Sequence, residues 1–205
     1  MPLMRHCFLC LLLFVAAPAF AAGPVLVLGD SLSAAYRIDP NAGWVALLSQ
    51  RLKTQSPPVD VINASISGET SSGALSRLPP LLAQHKPRVV VVEIGANDAL
   101  RGLPIGQIRK NLDAIITSSR DAGAKVVLLG IELPINYGPQ YRTALREMYR
   151  DAAGEFNVPL VPFLLDGVAL DPKLMQDDGM HPLAAGEPKV LENVWPTLRT
   201  AIGAK

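Results

Sequence analysis

Arg88-Val89-Val90-Val91-Val92-Glu93-Ile94, closed by Gly95, is the stretch that decides the fold. Its run of valines shows no polar alternation, as expected of a strand buried on both faces. Such strands belong to parallel sheets, which need a crossover helix between successive strands. The flanking sequence has the spacing to supply them. A helix is predicted over 72–84 before the run and over 105–122 after it, the second stopping at Gly123, a good cap position. Further out, 25–28 is a short apolar strand ending in Gly29-Asp30, 44–53 has helical spacing, and 59–63 is a second strand. Residues 125–130 give a fourth strand, 140–157 a long helix, 160–163 a fifth, weaker strand, and 187–202 a last helix that Pro196 should bend.

Five strands, each followed by a helix, predict an α/β fold: a three-layer α/β/α sandwich around a five-stranded parallel sheet. Ligands bind such sheets outside the carboxyl ends of the strands. That rule singles out residues 29–33, 65–72, 95–98 and 133–141. Polar and glycine-rich residues cluster in the first three.

The 205-residue length suits one domain, and a 49% hydrophobic composition is ample for its core. The first stretch is expected to be cleaved from the mature chain. Arg5 gives a positive start, an apolar run covers 7–17, Pro18 breaks it, and Ala19-Phe20-Ala21 has the small-x-small form of a cleavage site. The run is too short to span a bilayer, so no stable membrane anchor is expected. We therefore read 1–21 as a signal peptide and 22–205 as a single domain, exported to the periplasm or medium of a bacterium. Both cysteines, Cys7 and Cys10, leave with the signal, which excludes a disulfide, a thiol nucleophile or a thiolate metal site in the mature chain. His6 leaves too, so His85 and His181 are the histidines that remain. Losing Arg5 brings the formal charge from +1 to zero, and a neutral chain without a basic stripe argues against a nucleic-acid partner.

Gly29-Asp30-Ser31-Leu32-Ser33 follows the first strand, where a serine on a tight turn exposes its hydroxyl at the edge of the sheet. The G-x-S-x-G elbow is missed because Ser33 stands at its fifth position. The plainer alternative is that Asp30 or Ser31 caps a following helix. A serine nucleophile needs a base. His85, at a helix end beside Lys86 and Pro87, reads as a solvated cap residue. His181 lies in Asp177-Asp178-Gly179-Met180-His181-Pro182, where Gly179 permits a turn and Pro182 keeps the histidine out of a helix interior. That loop can fold Asp178 onto one ring nitrogen and leave the other for Ser31. Oxyanion donors are also required. Gly68 could offer its backbone N–H and Asn97 its side-chain amide, although each is equally at home as a turn residue. All these blocks fall at the carboxyl ends of neighbouring predicted strands.

The blocks Gly29-Asp30-Ser31-Leu32, Gly68, Gly95-Ala96-Asn97-Asp98 and Asp178-Gly179-Met180-His181-Pro182 resemble, in order and spacing, those of the GDSL or SGNH hydrolases. The resemblance covers essentially the whole mature chain. The longer stretches 28–37 and 133–138 are most similar to the bacterial periplasmic thioesterase, protease and lysophospholipase group of that family. The resemblance implies a flavodoxin-like SGNH hydrolase fold, with Ser31 as nucleophile and Asp178 and His181 completing the triad. It also implies an oxyanion hole of the Ser31 N–H, the Gly68 N–H and the Asn97 side chain. Ala35 and Ala96 depart from it, standing where relatives commonly have glycine. The implied activity is hydrolysis of medium to long acyl esters and thioesters by a monomer without metal or cofactor, its partners being small-molecule acyl substrates. Leu100, Leu103, Ile105, Leu133, Ile135, Tyr137 and Tyr141, in the loops after strands three and four, are the candidate acyl-binding set, with ordinary packing as the alternative for each.

Four other readings stay open at this point. Asp30, Asn97, Asp98, Asp178 and His181 could be scattered ligands of a metallophosphoesterase, but a two-metal site normally uses several imidazoles. A ligand-binding module on the same fold would have no need of a serine, donor blocks and an Asp-His loop. A carbohydrate or peptidoglycan O-acetyl esterase would use the same triad, so the triad does not discriminate. A nucleotide-binding domain is weaker, since 29–33 lacks the G-x-G-x-x-G phosphate turn.

Overall fold

The valine run forms a strand, β3 (Val89–Glu93), in which every residue is buried. In the computed structural model, which describes residues 23–203, β3 pairs in parallel with β1 (Val25–Gly29) and with β4 (Lys125–Leu129). The edges are β2 (Val61–Asn63), beside β1, and β5 (Leu160–Val161), beside β4. The order β2-β1-β3-β4-β5 is all parallel, as the sequence predicts. The expected signal segment, 1–21, lies outside the described residues. Both edge strands are shorter than their apolar runs. The Val59 N–H is spent on the Leu52 carbonyl, and Pro162 has no N–H with which to extend a ladder.

Alternation along the strands divides the core in two. Leu26, Leu28, Val90, Val92, Val126 and Leu128 face one side, where α2 (Ser71–His85), α4 (Ile105–Asp121) and α5 (Pro139–Phe156) cover them. Val25, Val27, Val89, Val91, Val127 and Leu129 face the other, covered by α1 (Trp44–Lys53) and α6 (Glu187–Ile202). This is the expected three-layer sandwich. Bounds of α1 and α6 are those read from the sequence, and α6 runs through Pro196 as one helix. The sequence reading omitted α3 (Ala96–Leu100) and short 3₁₀ turns at Pro40–Ala42 and Ile135–Tyr137. Elements this short do not complete the apolar repeat by which helices are recognised. Among the described residues no helix is long and apolar enough to cross a membrane.

Glu187 joins the two helices of the second layer by accepting the Trp44 N–H at 2.8 Å. Burial pushes its carboxyl from 4.5 up to about 7, against the opposing effect of that hydrogen bond. A raised carboxyl binds more protons folded than unfolded. Its stabilising contribution is therefore complete below the unfolded value of 4.5 and is lost as pH rises through about 7. Glu187→Gln keeps an acceptor for Trp44 and removes the charge. It should raise Tm above wild type at about pH 8.5, by on the order of 1–3 kcal/mol of stability, with the gain vanishing near pH 4. Thermal melts at both pH values check this, and a variant less stable than wild type at the higher pH would contradict it.

Candidate active site

After β1 the chain goes out to β2 and then crosses back to β3, so the strand order reverses between β1 and β3. A crevice opens at the carboxyl ends of strands at such a point. β1 ends there in Gly29. A side chain on Gly29 would fall 2.7 Å from the Ser33 Cβ and 2.8 Å from the Ser65 Oγ, so glycine is required for the chain to fold back over itself. Residues 31–36 then make turns instead of entering a helix, and α1 begins only at Trp44. The Asp30 carboxylate takes the Leu32 N–H at 3.1 Å, a local turn, so neither Asp30 nor Ser31 caps a helix.

The Ser31 hydroxyl lies 2.8 Å from His181 Nε2, across 150 residues of sequence. The other ring nitrogen, Nδ1, is 2.8 Å from Asp178 Oδ2. Asp178 Oδ1 accepts the backbone N–H groups of Met180 at 2.9 Å and His181 at 3.0 Å. Partial burial would push the Asp178 carboxyl up, but these hydrogen bonds and the imidazole outweigh it and hold the group below its ordinary range. Asp177 is exposed and makes no side-chain hydrogen bond among the described residues. The loop is pinned to the nucleophile turn from outside. Gln176 Nε2 donates to the Tyr36 and Pro182 carbonyls at 2.8 and 2.9 Å, and the Tyr36 ring packs 4.5 Å from the His181 ring. His85 is the last residue of α2, which runs away from this edge of the sheet.

The donor blocks are drawn to the same place. Asn97 Nδ2 donates to Asp30 Oδ2 at 3.0 Å, which ties the amide to the residue before Ser31 and leaves its second N–H unspent. The backbone N–H groups of Ser31 and Gly68 have no protein partner among the described residues. The loop carrying Gly68 is tied down on both sides. The Ile66 N–H donates to the Gly29 carbonyl at 3.1 Å, and Asp98 accepts from the Ser71 N–H at 2.8 Å and the Ser71 hydroxyl at 2.6 Å. Asp98 is thus committed to the start of α2. Gly95, at φ +126, turns β3 into α3, and a Cβ there would meet the Tyr149 hydroxyl at 2.5 Å.

Residues 27–187, from within β1 to the first residue of α6, match the GDSL-like lipase/acylhydrolase family. The chain belongs to that family. It is 50% identical to the esterase TesA of Pseudomonas aeruginosa over 93% of this chain and 94% of that one. It is 46% identical to the thioesterase 1/protease 1/lysophospholipase L1 of Escherichia coli K12, over 90% and 86%. A crystal structure of the psychrotrophic esterase EstA from Pseudoalteromonas, inhibited by monoethylphosphonate, superposes with a TM-score of 0.84 at 38% identity, covering 88% of this chain and 99% of that one.

In this GDSL-family hydrolase the acyl-binding candidates separate into different environments. Leu100, Leu103, Ile105, Tyr137 and Tyr141 are half-buried, and all of them but Leu103 pack against the core layer under α2, α4 and α5. Tyr137 donates to the Leu100 carbonyl at 2.9 Å and Tyr141 to the Leu103 carbonyl at 2.6 Å, lacing the loop after α3 to the one after β4. Leu133 is only 4% exposed and belongs to the core, whereas Ile135 is 83% exposed. Glu93 was missed by the sequence reading. It is fully buried, accepting the Asp30 N–H at 3.1 Å and the Ser33 hydroxyl at 2.9 Å. Among the described residues no three His, Cys, Asp or Glu side chains are grouped so as to hold a metal ion.

Proposed function

We propose that this hydrolase cleaves carboxylic esters and thioesters of medium to long acyl chains through an acyl-enzyme on Ser31. The observation that carries the reading is the continuous contact from Ser31 Oγ through both nitrogens of His181 to Asp178. In the first half-reaction His181 Nε2 takes the Ser31 proton as Oγ bonds to the acyl carbon, and Asp178 holds the ring in the tautomer that leaves Nε2 free. The negative charge moves to the carbonyl oxygen, where the unspent N–H groups of Ser31, Gly68 and Asn97 would receive it. On collapse the bond to the alkoxide or thiolate breaks and His181 returns the proton to that leaving group. A water molecule then repeats the sequence on the acyl-Ser31 ester, giving the acid and regenerating the serine. No step needs a metal or cofactor, so activity should persist in EDTA. The names of the relatives, esterase, thioesterase and lysophospholipase, support the substrate class. Export of a monomer to the periplasm, after removal of residues 1–21, completes the proposal.

Chain length follows from the half-buried apolar residues beside Asn97. Each methylene buried there contributes about 0.8 kcal/mol at most, roughly fourfold in kcat/KM. Between butyryl and octanoyl p-nitrophenyl esters the preference for the longer should reach about two orders of magnitude, less where the groove is wet. Tyr141→Asn removes ring and lacing bond together, and Ile105→Asn removes apolar surface. Either should flatten the gradient. A kcat/KM highest for acetyl and falling with every added carbon would replace this reading with that of an O-acetyl esterase.

A further inference from the structure

Two carboxyl groups in the floor of the site take no part in the acyl-transfer steps. Asp30 and Glu93 are each 0% exposed. Glu93 stands opposite Gly29 in the β1–β3 register, next to Asp30. Its Oε2 accepts the Asp30 N–H at 3.1 Å and the Ser33 hydroxyl at 2.9 Å, while its Oε1 is buried with no donor among the described residues. Asp30 is fully engaged. Oδ1 takes the Leu32 N–H at 3.1 Å and Oδ2 takes Asn97 Nδ2 at 3.0 Å, and its backbone N–H ties the residue to Glu93. No ion pair joins either carboxyl to a cation among the described residues.

Two dry carboxylates held at neighbouring positions without a counter-ion would repel each other and forfeit their hydration. One shared proton removes both costs. Placed on Glu93, it also lets that carboxyl donate toward the neighbouring Asp30 side chain, and Oε1 is the oxygen with no other hydrogen-bonding task. Burial, reinforced by the neighbouring Asp30, pushes Glu93 well above the ordinary range, while burial raises Asp30 only to about 6. The other titratable groups facing the pair are His181 from its loop and Tyr149 from α5, whose hydroxyl donates to the Ile94 carbonyl at 2.7 Å; Asp98 on α3 lies beyond them.

We infer that protonated Glu93 and charged Asp30 form a positioning pair for the oxyanion site, in which Asp30 orients the Asn97 amide and Glu93 holds Asp30 and the turn that bears Ser31. The inference rests on the roles proposed above for Ser31 and Asn97. An anionic acceptor on Asn97 admits only the NH₂ end of that amide, so its remaining N–H is kept for the substrate oxygen. Neither carboxyl touches substrate.

The test compares kcat and KM of three variants on one octanoyl ester, with fluorophosphonate labelling of Ser31 in each. Asp30→Asn sets an amide N–H against either Leu32 N–H or Asn97 and should lower kcat about 10–100-fold with KM within about twofold, since the oxyanion contact strengthens in the transition state. Glu93→Gln supplies an N–H for Asp30 and an oxygen for the Asp30 N–H and Ser33. It should keep kcat within about fivefold of wild type, whereas Glu93→Leu, which supplies neither, should lose at least about 30-fold. The proton itself is read by infrared spectroscopy. At about pH 9, where Glu187 is ionised, wild type should retain the carbonyl band of a protonated carboxyl that Glu93→Gln lacks. This band and the contrast between Asp30→Asn and Glu93→Gln carry the test even where Glu93→Leu does not fold. A band absent from wild type or surviving in Glu93→Gln, or Glu93→Gln as damaging as Asp30→Asn, overturns the pair. Wild type that fails to label on Ser31 would instead overturn the serine mechanism on which it rests.

Discussion

Ser31→Ala is expected to lower kcat about 10⁴–10⁶-fold while leaving the far-UV spectrum and Tm close to wild type. The size follows from what is lost. The hydroxyl is the only atom removed, and its partner is His181 Nε2 at 2.8 Å, so the change deletes a nucleophile and very little packing. Two neighbouring serines offer no substitute. Ser33 is buried and spends its proton on Glu93, and Ser71 spends its own on Asp98. Whatever turnover remains should come from the oxyanion donors acting on water. Active-site titration of the wild-type preparation should precede the assay, because a trace of unmutated enzyme would set a false floor.

His181→Ala should cost nearly as much as Ser31→Ala, and the double variant little more than either, because the two side chains act on one proton. Asp178→Asn should cost somewhat less, about 10³–10⁴-fold, since the base remains but its tautomer and aim are disturbed. Asp177→Asn is the internal control. Asp177 is exposed, while Asp178 holds the ring nitrogen at 2.8 Å and both N–H groups that shape the turn. Kinetics of the three variants on one ester decide the matter. A larger loss for Asp177→Asn than for Asp178→Asn would contradict the assignment.

The parts of this molecule that sequence made legible are those where a repeat or a spacing carries physical meaning. Four valines without alternation identify β3 because burial on both faces favours an unbroken apolar run, and the strand is buried at every position. The interval from Asp178 to His181 spans one turn, which is why two residues in one short loop meet. The contact between Ser31 and His181 was legible through topology and through the family resemblance: both blocks lie at the carboxyl edge, and no local pattern links residues 150 apart. Glu93 illustrates what was lost. An acid closing an all-valine strand opposite a Gly-Asp turn was a visible signal, but its partners, Asp30 and Ser33, are brought to it by strand register, which sequence does not print. Similarly, Leu133 and Ile135 share apolar character and a loop, yet one packs in the core and the other faces solvent. Apolarity alone does not fix a direction. α3 escaped notice because five residues hold too little of a helical period to be seen.

The most direct measurement is to trap the covalent step and find where it occurs. The protein should be incubated with a fluorophosphonate, digested, and the adduct located by mass spectrometry, with His181→Ala treated in parallel. The mechanism predicts one adduct per chain, on Ser31, formed far more slowly when His181 is absent. An adduct on Ser33, Ser67 or Ser72, or active enzyme that takes up none, would contradict it.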